Sequence, residues 1–171
     1  MKVALTGTPG VGKTAVSSLV RSVKVISVNA LAEEAGAVAG FDKERDTREV
    51  DVEKLAEAVR GIEGDALIEG HLSHLVGPDV SIVLRCSPAV LRERLTTKGW
   101  SEAKVSENVE AEAVDVVLIE ALESAPVVCE IDTTRMSVEA VASAVEEILA
   151  GESEKYPVGN VDWSQEVLSW F

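Results

Sequence analysis

Positive charge and aromatic bulk are what this sequence has least of. Sixteen Lys and Arg residues stand against thirty Asp and Glu, a formal net charge of −14. Such a surface repels phosphates, so no direct binding to bare nucleic acid is expected and basic partners are favoured. The same acidity also fits a salt-loving (halophilic) source, where excess acid keeps proteins soluble at high ionic strength. Aromatics make up 4% of the chain, so a core must be built from Ala, Val and Leu. Cysteine is confined to Cys86 and Cys129, which match no metal-ligand spacing. The expectation is two reduced, buried thiols in a cytoplasmic protein. A run of about twenty apolar residues is also missing, which excludes a helical membrane span. The chain enters its first predicted strand at Lys2, so no secretory leader is expected. No Asn-Lys-x-Asp guanine-reading motif follows any predicted strand, which disfavours a GTPase. Internal repeats and low-complexity segments are lacking too. The length, 171 residues, suits one domain with a real core.

What is present is led by Gly-Thr-Pro-Gly-Val-Gly-Lys-Thr at 7–14, a complete G-x-x-x-x-G-K-[ST] pattern. A short apolar strand precedes it at 2–6 and a helix is predicted at 15–21. Glycines let the backbone N–H groups turn inward as an anion nest at a helix N-terminus. Lys13 is placed to reach β- and γ-phosphates, and the Thr14 hydroxyl to hold Mg²⁺. Further strands are predicted at 24–27, 66–69, 81–85 and 127–131. Helices are predicted at 30–35 (N-cap Asn29), 52–60 (N-cap Asp51), 88–97 (after Ser87-Pro88), 101–124 and 137–151. Residues 36–50, with Gly36, Gly40 and a dense charge cluster, read as an exposed excursion. Strands alternating with helices give an α/β fold, a five-stranded parallel sheet of P-loop NTPase type with helices on both faces. Ligands of such sheets bind at the C-terminal strand ends. The glycine loop, Glu69, Arg85 and the 132–135 loop all lie there.

Glu69 ends its strand where a carboxylate would hold Mg²⁺ or its waters, and Gly70-His71 follows, with His71 able to orient a water or accept a proton. The alternatives are a helix cap or ion-pair partner for Glu69 and a hydrogen-bonded core residue for His71. His74 has no pattern behind it and reads as structural. Arg94 and Lys98 share a helix face, suited to a base and phosphates, or else a solvated basic face. Trp100, Lys104, Asn108 and Glu112 form a stripe that fits a lid and hinge equally with an ordinary half-exposed face. Arg45 and Arg48 are candidates to grip a second phosphate, with Arg85 at the nearby strand end; the alternative for the pair is a solvated loop matched to its own acids. Four of the six aromatics, Tyr156, Trp163, Trp170 and Phe171, fall in a tail, 151–171, that either seals the core or docks a partner.

The segments 7–14, Glu-Gly-His at 69–71, Val-Leu-Arg-Cys at 83–86, Arg-Leu-Thr-Thr-Lys-Gly-Trp at 94–100 and Glu-Asn-Val-Glu-Ala-Glu at 107–112 together resemble the nuclear-type adenylate kinase family (CINAP-like) shared by archaea and eukaryotes. The resemblance covers nearly all of 1–150, and Val-Asp-Trp-Ser at 161–164 looks like an archaeal version of the tail. It implies a nucleoside monophosphate kinase that also hydrolyses ATP and acts in late maturation of the small ribosomal subunit. The implied partner is a small-subunit ribosomal protein of the S-eleven family on the pre-ribosomal small subunit. By match, Gly10, Gly12, Lys13, Thr14 and Ala15 bind ATP, about 29–52 is the segment that binds the nucleoside monophosphate (AMP, with broad specificity) and about 97–107 a short lid. The family often has Asp where Glu69 stands, and Arg where Lys98 stands, which removes a bidentate fork.

Overall fold

The computed structural model describes residues 1–43 and 47–171. Five strands, β1 (Lys2–Thr6), β2 (Lys24–Ser27), β5 (Ala66–Glu69), β6 (Val80–Arg85) and β7 (Val127–Asp132), form one parallel sheet in the order β2-β5-β1-β6-β7. Strand alternation divides the core between its two faces. On β5, Leu67 faces a cluster with Val3, Leu5, Ile82 and Leu84, while Ala66 and Ile68 face the other side. The first face is covered by α1 (Lys13–Ser17), α4 (Pro88–Thr97), α5 (Glu102–Ala113) and α7 (Val138–Leu149), through Val16, Leu91, Leu95, Val105, Val109 and Val145. The second is covered by α2 (Val28–Glu34) and α3 (Val52–Arg60), through Val28, Ala32, Leu55 and Val59. On that side Val83 also meets α6 (Val116–Ser124). Burial of small aliphatic side chains supplies the core, at about 25 cal/mol per Å².

Several local features follow from the sequence as expected. Asp51 caps α3, its carboxylate accepting from Lys54 N at 3.1 Å. Ser87 caps α4 with Pro88 in the first turn, and Ser101 and Ser137 cap α5 and α7. Three expectations change. The excursion contains an antiparallel hairpin, β3 (Val38–Asp42) with β4 (Thr47–Val50). The helix expected at 30–35 starts at Val28 behind Ser27, so Asn29 lies inside it. The helix expected at 101–124 is two helices, broken at Asp115, whose φ of 60° is left-handed. That backbone costs about 1 kcal/mol, and the Asp115 carboxylate pairs with the Arg85 guanidinium on the neighbouring strand. Among the described residues, no helix is long and apolar enough to cross a membrane.

Candidate functional site

The C-terminal ends of β1 and β5, with α4 and the loop after β7, enclose a cavity of about 990 Å³. Its floor is the glycine loop. Gly7 has φ of 139°, and a Cβ there would stand 2.4 Å from the Leu84 carbonyl oxygen. Gly12, at φ 107°, turns the chain into α1. Both are conformations that glycine adopts readily. The loop N–H groups and the N-terminus of α1 then make an anion nest.

Lys13 is buried in this floor, and its Nζ donates to Gly7 O at 2.7 Å and Thr8 O at 3.1 Å. Burial lowers its pKa to about 8, with Glu69 opposing the fall and Lys98 adding to it. The Thr14 hydroxyl donates to Glu69 Oε1 at 3.1 Å. Two hard oxygen donors side by side at a phosphate nest fit Mg²⁺, which takes few protein ligands and keeps waters and phosphate oxygens. Among the described residues, no group of three or more His, Cys, Asp or Glu side chains is placed to hold a metal ion.

His71 lines the same wall. Its Nδ1 lies 3.3 Å from Gly7 O. A carbonyl only accepts, so Nδ1 carries the proton and Nε2 the lone pair. Desolvation against the wall lowers the His71 pKa, and the Lys13 charge lowers it further. His74 is fully buried between Thr6 Oγ1 at 2.8 Å and Glu120 Oε2 at 2.9 Å, away from the cavity. Its burial likewise lowers its pKa. As a neutral ring it donates from Nε2 to Glu120 and accepts from Thr6, a core role.

The opposite wall carries Arg94 and Lys98. Arg94 is held by Gly10 O at 3.5 Å and Thr133 O at 3.4 Å, which aligns α4 with the glycine loop. Gly10, Gly12, Thr14 and Ala15 also face the cavity. Asn29, Thr133, Met136 and Val138 line it as well. Sequence reading gave Asn29 a capping role and the start of the acceptor segment, put Thr133 in a loop at this end of the sheet, and passed over Met136 and Val138. The strand-end position of the 132–135 loop was the available signal.

Two arginines lie elsewhere. Arg85, read as a substrate ligand, is a correction. It is 1% exposed, and its guanidinium donates to Glu112 Oε1 at 2.7 Å, Glu130 Oε1 at 2.5 Å and the Asp115 carboxylate. The indole of Trp163 covers it at 5.9 Å. Burial opposes its charge, but Glu112 and Asp115 outweigh that and raise its pKa. With four of its five donors taken, by three carboxylates and the Glu112 carbonyl, and with no place in the cavity lining, this guanidinium is a core ion-pair centre and not a phosphate ligand. Arg48 is exposed on β4 and pairs with Glu33 of α2, away from the cavity wall. Arg45 lies outside the described residues. Trp100 and Lys104 stack at 4.5 Å beside the α4–α5 turn, while Glu112 of the same stripe is buried.

The tail contains a short helix, α8 (Ser164–Leu168). Tyr156 O accepts from Glu130 N at 3.2 Å, and Gly159 N donates to Glu130 Oε2 at 2.9 Å. Trp163 Nε1 donates to Glu112 Oε1 at 3.3 Å. Trp170 and Phe171 remain exposed.

A family profile described as "AAA domain" matches residues 3–115. The chain is 51% identical to the "Putative adenylate kinase" of Archaeoglobus fulgidus, over 98% of this chain and 94% of that one. It is 47% identical to the protein of the same name from Natronomonas pharaonis, over 96% and 99%. The Methanocaldococcus jannaschii protein of that name is 38% identical, over 99% and 97%. Among solved structures, the fold is similar to shikimate kinase from Acinetobacter baumannii (TM-score 0.60, 13% identity, 88% of this chain and 93% of that one). It is also similar to a gluconokinase from Sinorhizobium meliloti (TM-score 0.53, 14% identity, 90% and 94%). The fold is thus that of P-loop kinases, and with these identities over nearly its whole length the chain belongs to the family of archaeal adenylate kinase homologues.

Proposed function

We propose that the protein is a nucleoside monophosphate kinase that transfers the γ-phosphoryl group of ATP to AMP, and that it also hydrolyses ATP. The observation that carries this reading is one cavity lined by Lys13, Thr14, Glu69, Arg94 and Lys98. A phosphate oxygen of AMP attacks the γ-phosphorus, the bond to the β–γ bridging oxygen breaks, and its electron pair leaves with ADP, so two ADP form. The transition state is loose, and catalysis is positioning plus charge stabilisation. Lys13, Lys98 and Arg94 meet the charge on the equatorial oxygens. Thr14 and Glu69 would hold Mg²⁺ or its waters, and the ion would supply neutralisation of phosphate charge when bound. Closure of the 97–107 segment excludes water from the transferred group. The 29–52 segment takes the acceptor, with Arg48 and Arg45 as ligands of its phosphate. For Arg48 this means exchanging its exposed Glu33 partner for the phosphate.

A second reading is an ATP-driven assembly step in the cytoplasm, on a basic ribosomal protein of the S-eleven family within the maturing small subunit. His71 favours it. A neutral imidazole beside Lys13, with its Nε2 lone pair unengaged by the Gly7 contact, suits orientation of a hydrolytic water. The net charge of −14 suits a basic partner. The test is product analysis with ATP alone and with ATP plus AMP. ADP formed on addition of AMP, beyond the ADP and phosphate made from ATP alone, supports the kinase. Phosphate release that AMP does not alter and a basic partner stimulates supports the assembly ATPase.

A further inference from the structure

The carboxylate of Glu112, at the end of α5, is 2% exposed and gathers four donors from three other parts of the chain. The Thr8 hydroxyl donates to Oε2 at 2.6 Å. Oε1 accepts from Arg85 Nε at 2.7 Å, Cys86 N at 3.3 Å and Trp163 Nε1 at 3.3 Å. The glycine loop, the end of β6, α5 and the C-terminal tail therefore meet at one side chain. Arg85 is fixed in turn by Glu130, which also receives Gly159 N from the tail at 2.9 Å.

We propose that Glu112 is a positioning residue for the phosphate-binding loop, and that the tail acts on the nucleotide site through it. This rests on the kinase reading above. The link is Thr8. Its hydroxyl is held by Glu112, and its own carbonyl accepts from Lys13 Nζ at 3.1 Å. One residue thus ties the buried carboxylate to the ammonium that meets the phosphates. A short O–H···O⁻ bond in a dry site belongs to the strong class. It holds the loop in its nest shape before nucleotide arrives. The apparent affinity scales with the fraction of molecules in that shape, so the bond acts on ATP binding and not on the chemical step. Trp163 shares the carboxylate and covers Arg85, which makes the tail part of the same support.

The test is steady-state kinetics of the full chain with melting curves alongside. Thr8→Val removes the hydroxyl at nearly constant volume. It raises KM for ATP about tenfold and leaves kcat within about twofold. Thr8→Ser, which keeps the hydroxyl, stays within about twofold of wild type in both. Trp163→Phe keeps a ring over Arg85 but loses the N–H. It raises KM for ATP about threefold in the parent and not at all in the Thr8→Val background. Glu112→Gln in the Thr8→Val background likewise adds nothing to KM. A packing role alone lowers the melting temperature and leaves KM where it was, which overturns the proposal. So does a Trp163→Phe effect of equal size in both backgrounds. Lys13→Ala separates the two levels. If it retains activity, the kinase reading falls and this inference with it. If Lys13→Ala is dead while Thr8→Val keeps a wild-type KM, only the positioning role falls.

Discussion

Raising the pH weakens ATP binding through Lys13. The residue is 9% exposed, and burial takes its pKa from 10.5 down to about 8, against the pull of Glu69 and with the push of Lys98. That drop corresponds to about 3 kcal/mol. In the unfolded chain Lys13 keeps its proton to its ordinary value. The cost of holding it charged in the folded protein is therefore fully present below about pH 8, and it is relieved as pH rises from there towards 10.5. Bound triphosphate favours the ammonium and raises the pKa again, so above about pH 8 binding takes up a proton. The dissociation constant for ATP with Mg²⁺ is then flat near pH 7 and rises about tenfold per pH unit once above about pH 8. The buried cysteines and histidines stay outside this window. Burial pushes both cysteines up to about 11, and both histidines lie below their ordinary 6.5. The assay is titration calorimetry in buffers of different ionisation enthalpy, which counts the protons taken up. Lys13→Arg is the control, since a guanidinium does not titrate there. A flat wild-type profile, or the same slope in Lys13→Arg, refutes the reasoning.

Three further outcomes are expected. His71→Ala lowers ATP hydrolysis about tenfold or more and leaves AMP phosphorylation within about threefold, because the acceptor supplies the kinase nucleophile; equal losses in the two assays remove the water-orienting role. Truncation after Ala150 removes the Tyr156, Gly159 and Trp163 contacts to Glu130, Glu112 and Arg85. It costs about 3 kcal/mol, about 10 °C of melting temperature, and an unchanged melt would show that these contacts do not support the core. Arg48→Ala raises KM for AMP about tenfold with KM for ATP and stability unchanged, since its pair with Glu33 is exposed on both sides; an unchanged KM for AMP removes Arg48 from the acceptor site.

The glycine loop, the five strands and most helix caps were legible because their signals are local. The loop is eight consecutive residues, and Asp51 caps a nitrogen three residues on. Glu69 was placed by its position at a strand end. The hairpin was hidden because the charges between Asp42 and Glu49 mask the strand alternation of Phe41 and Arg48. Arg85 shows a different limit. A cation at a strand end reads as a ligand, and its three acidic partners lie on α5, at the α5–α6 break and on β7. The Thr8–Glu112 bond spans 104 residues. The break at Asp115 follows from that same tertiary pairing, which local helix propensity cannot register.

The central claim is phosphoryl transfer to a nucleotide at the Lys13 site, and the most direct measurement follows label from the γ-phosphate of ATP. With AMP present, the kinase reading predicts label in newly formed ADP, two ADP for each labelled phosphoryl transferred, and a loss of about a hundredfold or more in Lys13→Ala with the fold intact. Label found only in inorganic phosphate, or a Lys13→Ala protein near wild-type rate, would contradict it.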